Sequence, residues 1–435
     1  MNHIAMKKQM ILAVAVSVLA AVAASFAPGL HAKGKKSSAP VVRPGIEVLE
    51  LTGFDCLKGK RVGLVTNPSG VDRDMRSTID ILFNAPGVDL VALFGPEHGV
   101  RGDVYAGGQV TDFEDPATGL PVYSLYGATR KPTPEMLEGI DVMVYDIQDV
   151  GVRSYTFIST LGLVMEACAE KNIEVVVLDR PNPLGGNKVE GPYVEPGFFS
   201  FVSQYKIPYI YGLTVGELAL LINGNGLNCG QLGDRKPSRC RLTVIPMSGW
   251  SRDMLYKDTG LPWVLPSPNI PSDEAAMCYP ASGLCGELYG FMNIGVGYTL
   301  PFQVFGAEWI DAERLKEMLD SYRLPGVAFR TIYYAPFSGS SKGRLLKGVQ
   351  FYFTDYDAAA VTEVQFYVMQ AVAQLYPERR AFEEADGVGL FDKVCGSDCV
   401  RKTFGKDYRF SDIEEYWRKD VEPFRQLSRK YYLYK

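Results

Sequence analysis

The stretch Val88-Asp89-Leu90-Val91-Ala92-Leu93-Phe94, followed at once by Gly95-Pro96-Glu97-His98-Gly99-Val100-Arg101-Gly102, decides the fold class. A largely apolar run of this length, bounded by Gly and Pro, reads as a parallel strand buried on both faces. The glycine-hinged loop then sets an acid, an imidazole and a guanidinium at the strand's C-terminal end, where open α/β sheets bind their ligands. His98 is the only histidine beyond residue 32. A plain turn carrying a solvated Glu-His pair is the rival reading; it ranks second because other strands deliver similar polar clusters to the same edge.

Working outward, the pattern alternates. Periodicity predicts strands over Arg61 to Asn67, Val142 to Gln148, Glu174 to Arg180 and Leu242 to Met247, with helices over Met75 to Phe83, Ser154 to Glu170 and Val215 to Asn223. Strands and helices in this order define an α/β, doubly wound N-terminal domain, placed at 45–262. The proline-rich stretch Pro262 to Pro280 marks a boundary, and 263–435 reads as a smaller α+β domain that completes the cleft. Its expected helices are Asp311 to Tyr322, Thr362 to Leu375 and a closing helix Ser411 to Tyr431, with Ser411 as N-cap and Glu414 completing a capping box.

The first residues carry an address. Lys7 and Lys8 precede an apolar stretch from Met10 to about Phe26, and Leu30-His31-Ala32 offers a small-residue cleavage site, so 1–32 reads as a secretory signal peptide. The expected location is periplasmic or secreted, with no membrane association after removal of the signal. No cysteine lies at the cleavage point, which argues against a lipid-anchored form. In an oxidising compartment the local pairs Cys229/Cys240, Cys278/Cys285 and Cys395/Cys399 are expected to form disulfides. Zinc is disfavoured, since one histidine cannot build a His-rich catalytic site. A net charge of −5 gives no basic field for nucleic acid, which is not expected as a partner.

Three further strand ends carry polar groups: Thr66-Asn67; Tyr145-Asp146-Ile147-Gln148-Asp149-Val150-Gly151-Val152-Arg153; and Asp179-Arg180-Pro181-Asn182. Taken singly, Asp149 or Asp179 could cap the following segment and Arg153 could pair with a neighbouring aspartate. Taken together, acids at the ends of parallel strands converge in space. No Gly-x-Gly-x-x-Gly follows the first strand and no P-loop lysine occurs, so a nucleotide cofactor is not expected, nor is any other cofactor or metal.

These segments, with Gly212-Leu213-Thr214-Val215-Gly216-Glu217, Pro266-Ser267-Pro268-Asn269 and Gly306-Ala307-Glu308-Trp309, resemble the hallmark motifs of the NamZ-type exo-β-N-acetylmuramidases across the mature chain. The resemblance implies a Rossmann-like N-terminal domain and hydrolysis of β-linked N-acetylmuramic acid from the non-reducing end of peptidoglycan fragments, with an oligosaccharide or muropeptide as the partner. It makes Glu97 the leading catalytic acid. One departure stands out: many relatives carry Ser-Glu-Gly-Arg-Gly-Thr where this chain has Asn293-Ile294-Gly295-Val296-Gly297-Tyr298-Thr299, so a glutamate and an arginine are absent.

Glycoside hydrolysis needs one carboxylic acid to protonate the leaving oxygen and usually a second carboxylate. Glu97, Asp146, Asp149, Asp179 and Glu287 form the pool, with Glu97, Asp146 and His98 placed in the catalytic set. Muramic acid carries a lactyl carboxylate, for which Arg101, Arg153 or Arg180 would be the bidentate partner. Asn67, Asp149, Asp179, Asn182, Asn269 and Glu287 complete the expected substrate-binding set. Two other readings stay open: a serine-type esterase or amidase using His98, against which the missing Gly-x-Ser-x-Gly counts, and a non-catalytic muropeptide-binding protein.

Overall fold

The computed structural model describes residues 41–102, 112–227 and 238–435. The signal segment and Cys229 lie outside the described residues.

A seven-stranded sheet forms the first half. Its strands are β1 (Arg61–Thr66), β2 (Asp89–Gly95), β3 (Phe113–Glu114), β4 (Pro121–Ser124), β5 (Val142–Asp146), β6 (Glu174–Leu178) and β7 (Arg241–Ile245), in the order β3-β4-β2-β1-β5-β6-β7. All neighbours are parallel except the two-residue edge strand β3. The connections reverse direction between β1 and β5, which opens a crevice beyond their C-terminal ends.

Alternation along each strand builds two cores. Val62, Leu64, Val142, Val144, Val176 and Leu178 face one way, onto α1 (Gly45–Leu51) and α2 (Thr78–Phe83). Val65, Met143, Tyr145, Val175 and Val177 face the other, onto α3 (Phe157–Lys171) and α4 (Val215–Asn225). Burial on both faces is why these strands read as apolar runs and not as alternating ones. Thr214 caps α4 in a capping box with Glu217, which fixes where the helix starts.

The second half holds α5 (Asp273–Gly286), a three-stranded antiparallel sheet of β8 (Val304–Ala307), β9 (Val327–Tyr334) and β10 (Leu346–Phe353), and the helices α6 (Ala312–Ser321) and α7 (Val364–Leu375). These share a core that includes Phe305, Leu315, Phe351 and Phe366. The proline-rich boundary is partly helical: Pro280 sits inside α5, and its carbonyl is held by Gln365 Nε2 at 2.9 Å.

Three expectations are corrected. The closing helix is broken into Glu414–Arg418 and Val421–Ser428, and Ser411 lies in a 3₁₀ turn, Phe410–Asp412, instead of capping a long helix. The break lets Trp417 and Phe424 enter two different cores. The proposed Cys278–Cys285 bridge is also overturned, because both thiols are free and buried on the single helix α5. Seven residues of helix separate them by about 10.5 Å along the axis, beyond the reach of a disulfide. Cys395 and Cys399 are likewise unbridged. Alkylation after non-reducing denaturation should therefore label Cys278, Cys285, Cys395 and Cys399; any one of these recovered in a local disulfide would contradict the structure.

Candidate active site

After β2 the chain reverses within a few residues. Gly99 N donates to Pro96 O at 3.0 Å, and Leu125 N donates to Gly95 O at 2.8 Å, which ties the loop to the end of β4. A Cβ at position 95 would lie 3.1 Å from Val100 N, a tight approach, so the close return favours glycine. His98 adopts φ 75°, a left-handed conformation that an L residue holds only when its surroundings impose it. That backbone turns Glu97 into a cleft of about 590 Å³ between the main sheet's C-terminal edge and the second sheet.

Glu97 is held from α3. Thr156, the residue preceding that helix, makes no backbone cap and instead donates its hydroxyl to Glu97 Oε2 at 2.9 Å. A hydroxyl both donates and accepts, so this contact survives either protonation state of the acid. Tyr126 flanks the same carboxyl. Burial first, then the charge and hydrogen bond of Glu97, hold its phenol above the ordinary value. Glu287, also on the cleft wall, follows α5 and accepts from Tyr289 Oη at 3.1 Å. Burial pushes its carboxyl up. Ser154 bonds the phenols of Tyr279 at 2.9 Å and Tyr209 at 3.2 Å, so its hydroxyl is engaged with tyrosines and not with a base.

Of the expected site residues, the structure brings Glu97, His98, Asn269 and Glu287 to the cleft wall. The others have structural work. Asp146 is fully buried and paired with Arg180, whose Nε and Nη2 donate at 2.5 and 2.8 Å, while Thr78 adds a hydroxyl. Neither Asp146, expected in the catalytic set, nor Arg180, expected at the lactyl group, lines the cleft. Arg153 is 0 % exposed. Its guanidinium donates to the carbonyls of Pro192, Ile207, Val394 and Cys395, joining the first half of the chain to the C-terminal region. Arg101 pairs with Asp115 at 2.9 and 3.0 Å, away from the cleft lining. Asn67 spans from Ser69 to Pro266 O, and Asn182 from Leu184 N to Leu213 O. Thr214, Gly216 N and Tyr434 all donate to Asp179, which fastens the C-terminal tail to α4.

Asp149 lies behind the cleft, bonded by Tyr211 and by Gly151 N at 2.8 Å, while its Oδ1 finds no partner among the described residues. Burial pushes its carboxyl from 3.8 up to about 6. A folded-state pKa raised in this way makes stability fall as pH climbs from about 4 to about 6, by roughly 3 kcal/mol for a shift of about two units. Asp149→Asn, which stays neutral throughout, should therefore gain on the parent protein between pH 4.5 and pH 8 in thermal unfolding. An unchanged difference would refute the charged burial.

Sequence reasoning missed Thr156, Tyr126, Tyr279 and Arg344, all of which line the cleft. The motif Gly306-Ala307-Glu308-Trp309 was visible, and Glu308 and Trp309 do line the wall. Val296 also lines it, where the resemblance leads one to expect an arginine.

Glu97 and Glu287, with the Arg344-paired Glu308 as a third carboxyl, line an open cleft walled by tyrosines and Trp309; acids in such a cleft are what glycoside cleavage requires, and they define an α/β protein with a glycosidase-type site. The family described as exo-β-N-acetylmuramidase NamZ matches in two parts, its N-terminal domain over residues 62–274 and its C-terminal domain over residues 277–434. The chain belongs to this family. It is 43% identical over 412 residues, 95% of each chain, to the peptidoglycan β-N-acetylmuramidase NamZ of Bacillus subtilis strain 168. It also resembles a crystal structure of a DUF1343 family protein from Bacteroides fragilis NCTC 9343, with TM-score 0.85 and 55% identity over 91% of this chain and all of that one. A second DUF1343 family structure from the same organism matches with TM-score 0.70 and 29% identity over 91% of this chain and 99% of that one.

Proposed function

We infer that the protein is an exo-acting glycoside hydrolase that releases β-linked N-acetylmuramic acid from the non-reducing end of peptidoglycan fragments. The observation that carries this is the presence of Glu97 and Glu287 in the lining of one cleft of a NamZ-family chain. In the reaction, Glu97 gives its proton to the glycosidic oxygen as the bond from that oxygen to the anomeric carbon breaks. Water takes the leaving group's place at that carbon, and its proton returns the acid to its starting state. Glu287 is the second cleft carboxyl, either acting on the anomeric centre itself or orienting the 2-acetamido group. Thr156 and Tyr126 orient Glu97, and His98 holds the turn that aims it.

Membership in a muramidase family and the tyrosine partners of Ser154 both favour a glycosidase over a serine-type esterase. Release of N-acetylmuramic acid from a chromogenic muramide tests the reading directly; binding without release would replace it with a muropeptide receptor. His98→Gln should lower turnover less than Glu97→Gln, since the imidazole positions and does not donate. The N-terminal half is read as Rossmann-like, supported by the reversal of connections between β1 and β5 and by helices on both faces. Export with removal of 1–32 follows from the basic and apolar order of that segment, and N-terminal sequencing of the protein recovered outside the cytoplasm checks it.

A further inference from the structure

The substrate of the proposed reaction differs from N-acetylglucosamine by an anionic lactyl ether, so its recognition calls for a cation inside the cleft. Arg101, Arg153 and Arg180 are engaged elsewhere. Among the described residues lining the cleft, Arg344 is the only arginine or lysine. It stands where the loop 335–345 enters β10, and Glu308 stands at the end of the adjacent strand β8, which pairs with β10 through Lys347 and Ala307. The loop is pinned over the cleft by Phe337 N and Ser338 N, which donate to Gly297 O at 2.9 and 3.3 Å. A side chain at Gly297 would strike Ser338 O, 2.3 Å from its Cβ, so that glycine permits the contact.

Arg344 pairs with Glu308 through Nη2, and the two side chains are 54% and 46% exposed. An exposed pair of this kind holds its partners weakly, so one oxyanion can replace another on the guanidinium with little loss. Glu308 takes one terminal nitrogen, and an arginine fork offers further N–H groups in the plane that a carboxylate matches. Arg130, whose guanidinium lies beside the cleft residue Tyr126, is stacked instead, 4.1 Å from the Phe201 ring and 5.5 Å from that of Tyr126.

We propose that Arg344, presented by the 335–345 loop and oriented by Glu308, is the residue that recognises the lactyl carboxylate and so sets the preference for N-acetylmuramic acid over N-acetylglucosamine. This rests on the muramidase reading. Arg344 touches substrate without entering proton transfer, and Glu308 is a positioning residue.

The test compares the full mature protein, Arg344→Gln and Lys342→Ala on three aryl glycosides: N-acetylmuramic acid, its lactyl methylamide and N-acetylglucosamine. Lys342 shares the loop but not the cleft wall, and its variant should behave as the parent. Arg344→Gln should lose on the order of tenfold to a hundredfold in kcat/KM on the muramide, the range expected for one hydrogen bond to a charged group. Its rates on the methylamide and on the glucosaminide should stay at parental values, so that the preference collapses. An Arg344→Gln protein that keeps the parental ratio of muramide to methylamide, or that loses equally on all three, overturns the role of Arg344 while leaving the muramidase reading intact. A parent protein inactive on the muramide overturns the muramidase reading itself, and this proposal with it.

Discussion

Replacing Glu97 by Gln is expected to leave the fold intact and to lower turnover of the natural disaccharide by about 10²–10⁴-fold, the usual worth of a positioned general acid. The amide keeps the contact to Thr156 Oγ1, which in the parent protein donates to the carboxyl at 2.9 Å, because that hydroxyl can bond either end of the amide. What the amide lacks is a transferable proton. The loss should accordingly shrink for aryl muramides with acidic leaving groups, which depart with little protonation, while Glu287→Gln should be impaired on both substrate types. Steady-state kinetics of the two variants on the two substrates decide the roles. A folded Glu97→Gln protein with near-parental activity on the disaccharide sinks the assignment.

The second large effect concerns stability. Asp146 and Arg180 face each other at the ends of β5 and β6, 0% and 5% exposed at the side chain, so removing either leaves a buried charge alone. Arg180→Met should therefore cost about 3–5 kcal/mol, read as a fall in the denaturant midpoint, whereas replacing both partners by apolar residues should recover much of it. Activity per folded molecule should persist in Asp146→Asn, since the carboxylate supports the crevice and does not reach its wall. Loss of turnover in a stably folded Asp146→Asn protein would return Asp146 to the catalytic set.

Much of the first half was legible because burial writes itself into composition. Strands covered on both faces must be apolar throughout, and β1, β2, β5 and β6 were recognised within a few residues for that reason. The short strands β3 and β4 carry no such signature, being two and four residues long and partly exposed. The closing segment showed helical content but not its break, which depends on Trp417 and Phe424 seeking separate cores. The cysteines were close in sequence, yet α5 carries Cys278 and Cys285 too far apart to bridge.

By itself the sequence determined the α/β class, the loop at the end of β2 as a polar segment at the sheet's ligand edge, and the family through ordered motifs, all of which follow from local composition and spacing. Tertiary structure alone decided which charges line the cleft. Asp146, Asp149, Asp179, Arg153 and Arg180 look like Glu97 and Glu287 on paper: charged residues in or beside glycine- and proline-rich loops. A buried charge calls for bonds, and the fold engages these five internally, with one another, with hydroxyls or with backbone groups, leaving only single atoms such as Asp149 Oδ1 and Arg153 Nε without a partner among the described residues. It leaves Glu97, Glu287 and Arg344 along a cleft, although they are distant in sequence, because the two sheets meet there and only folding brings those segments together.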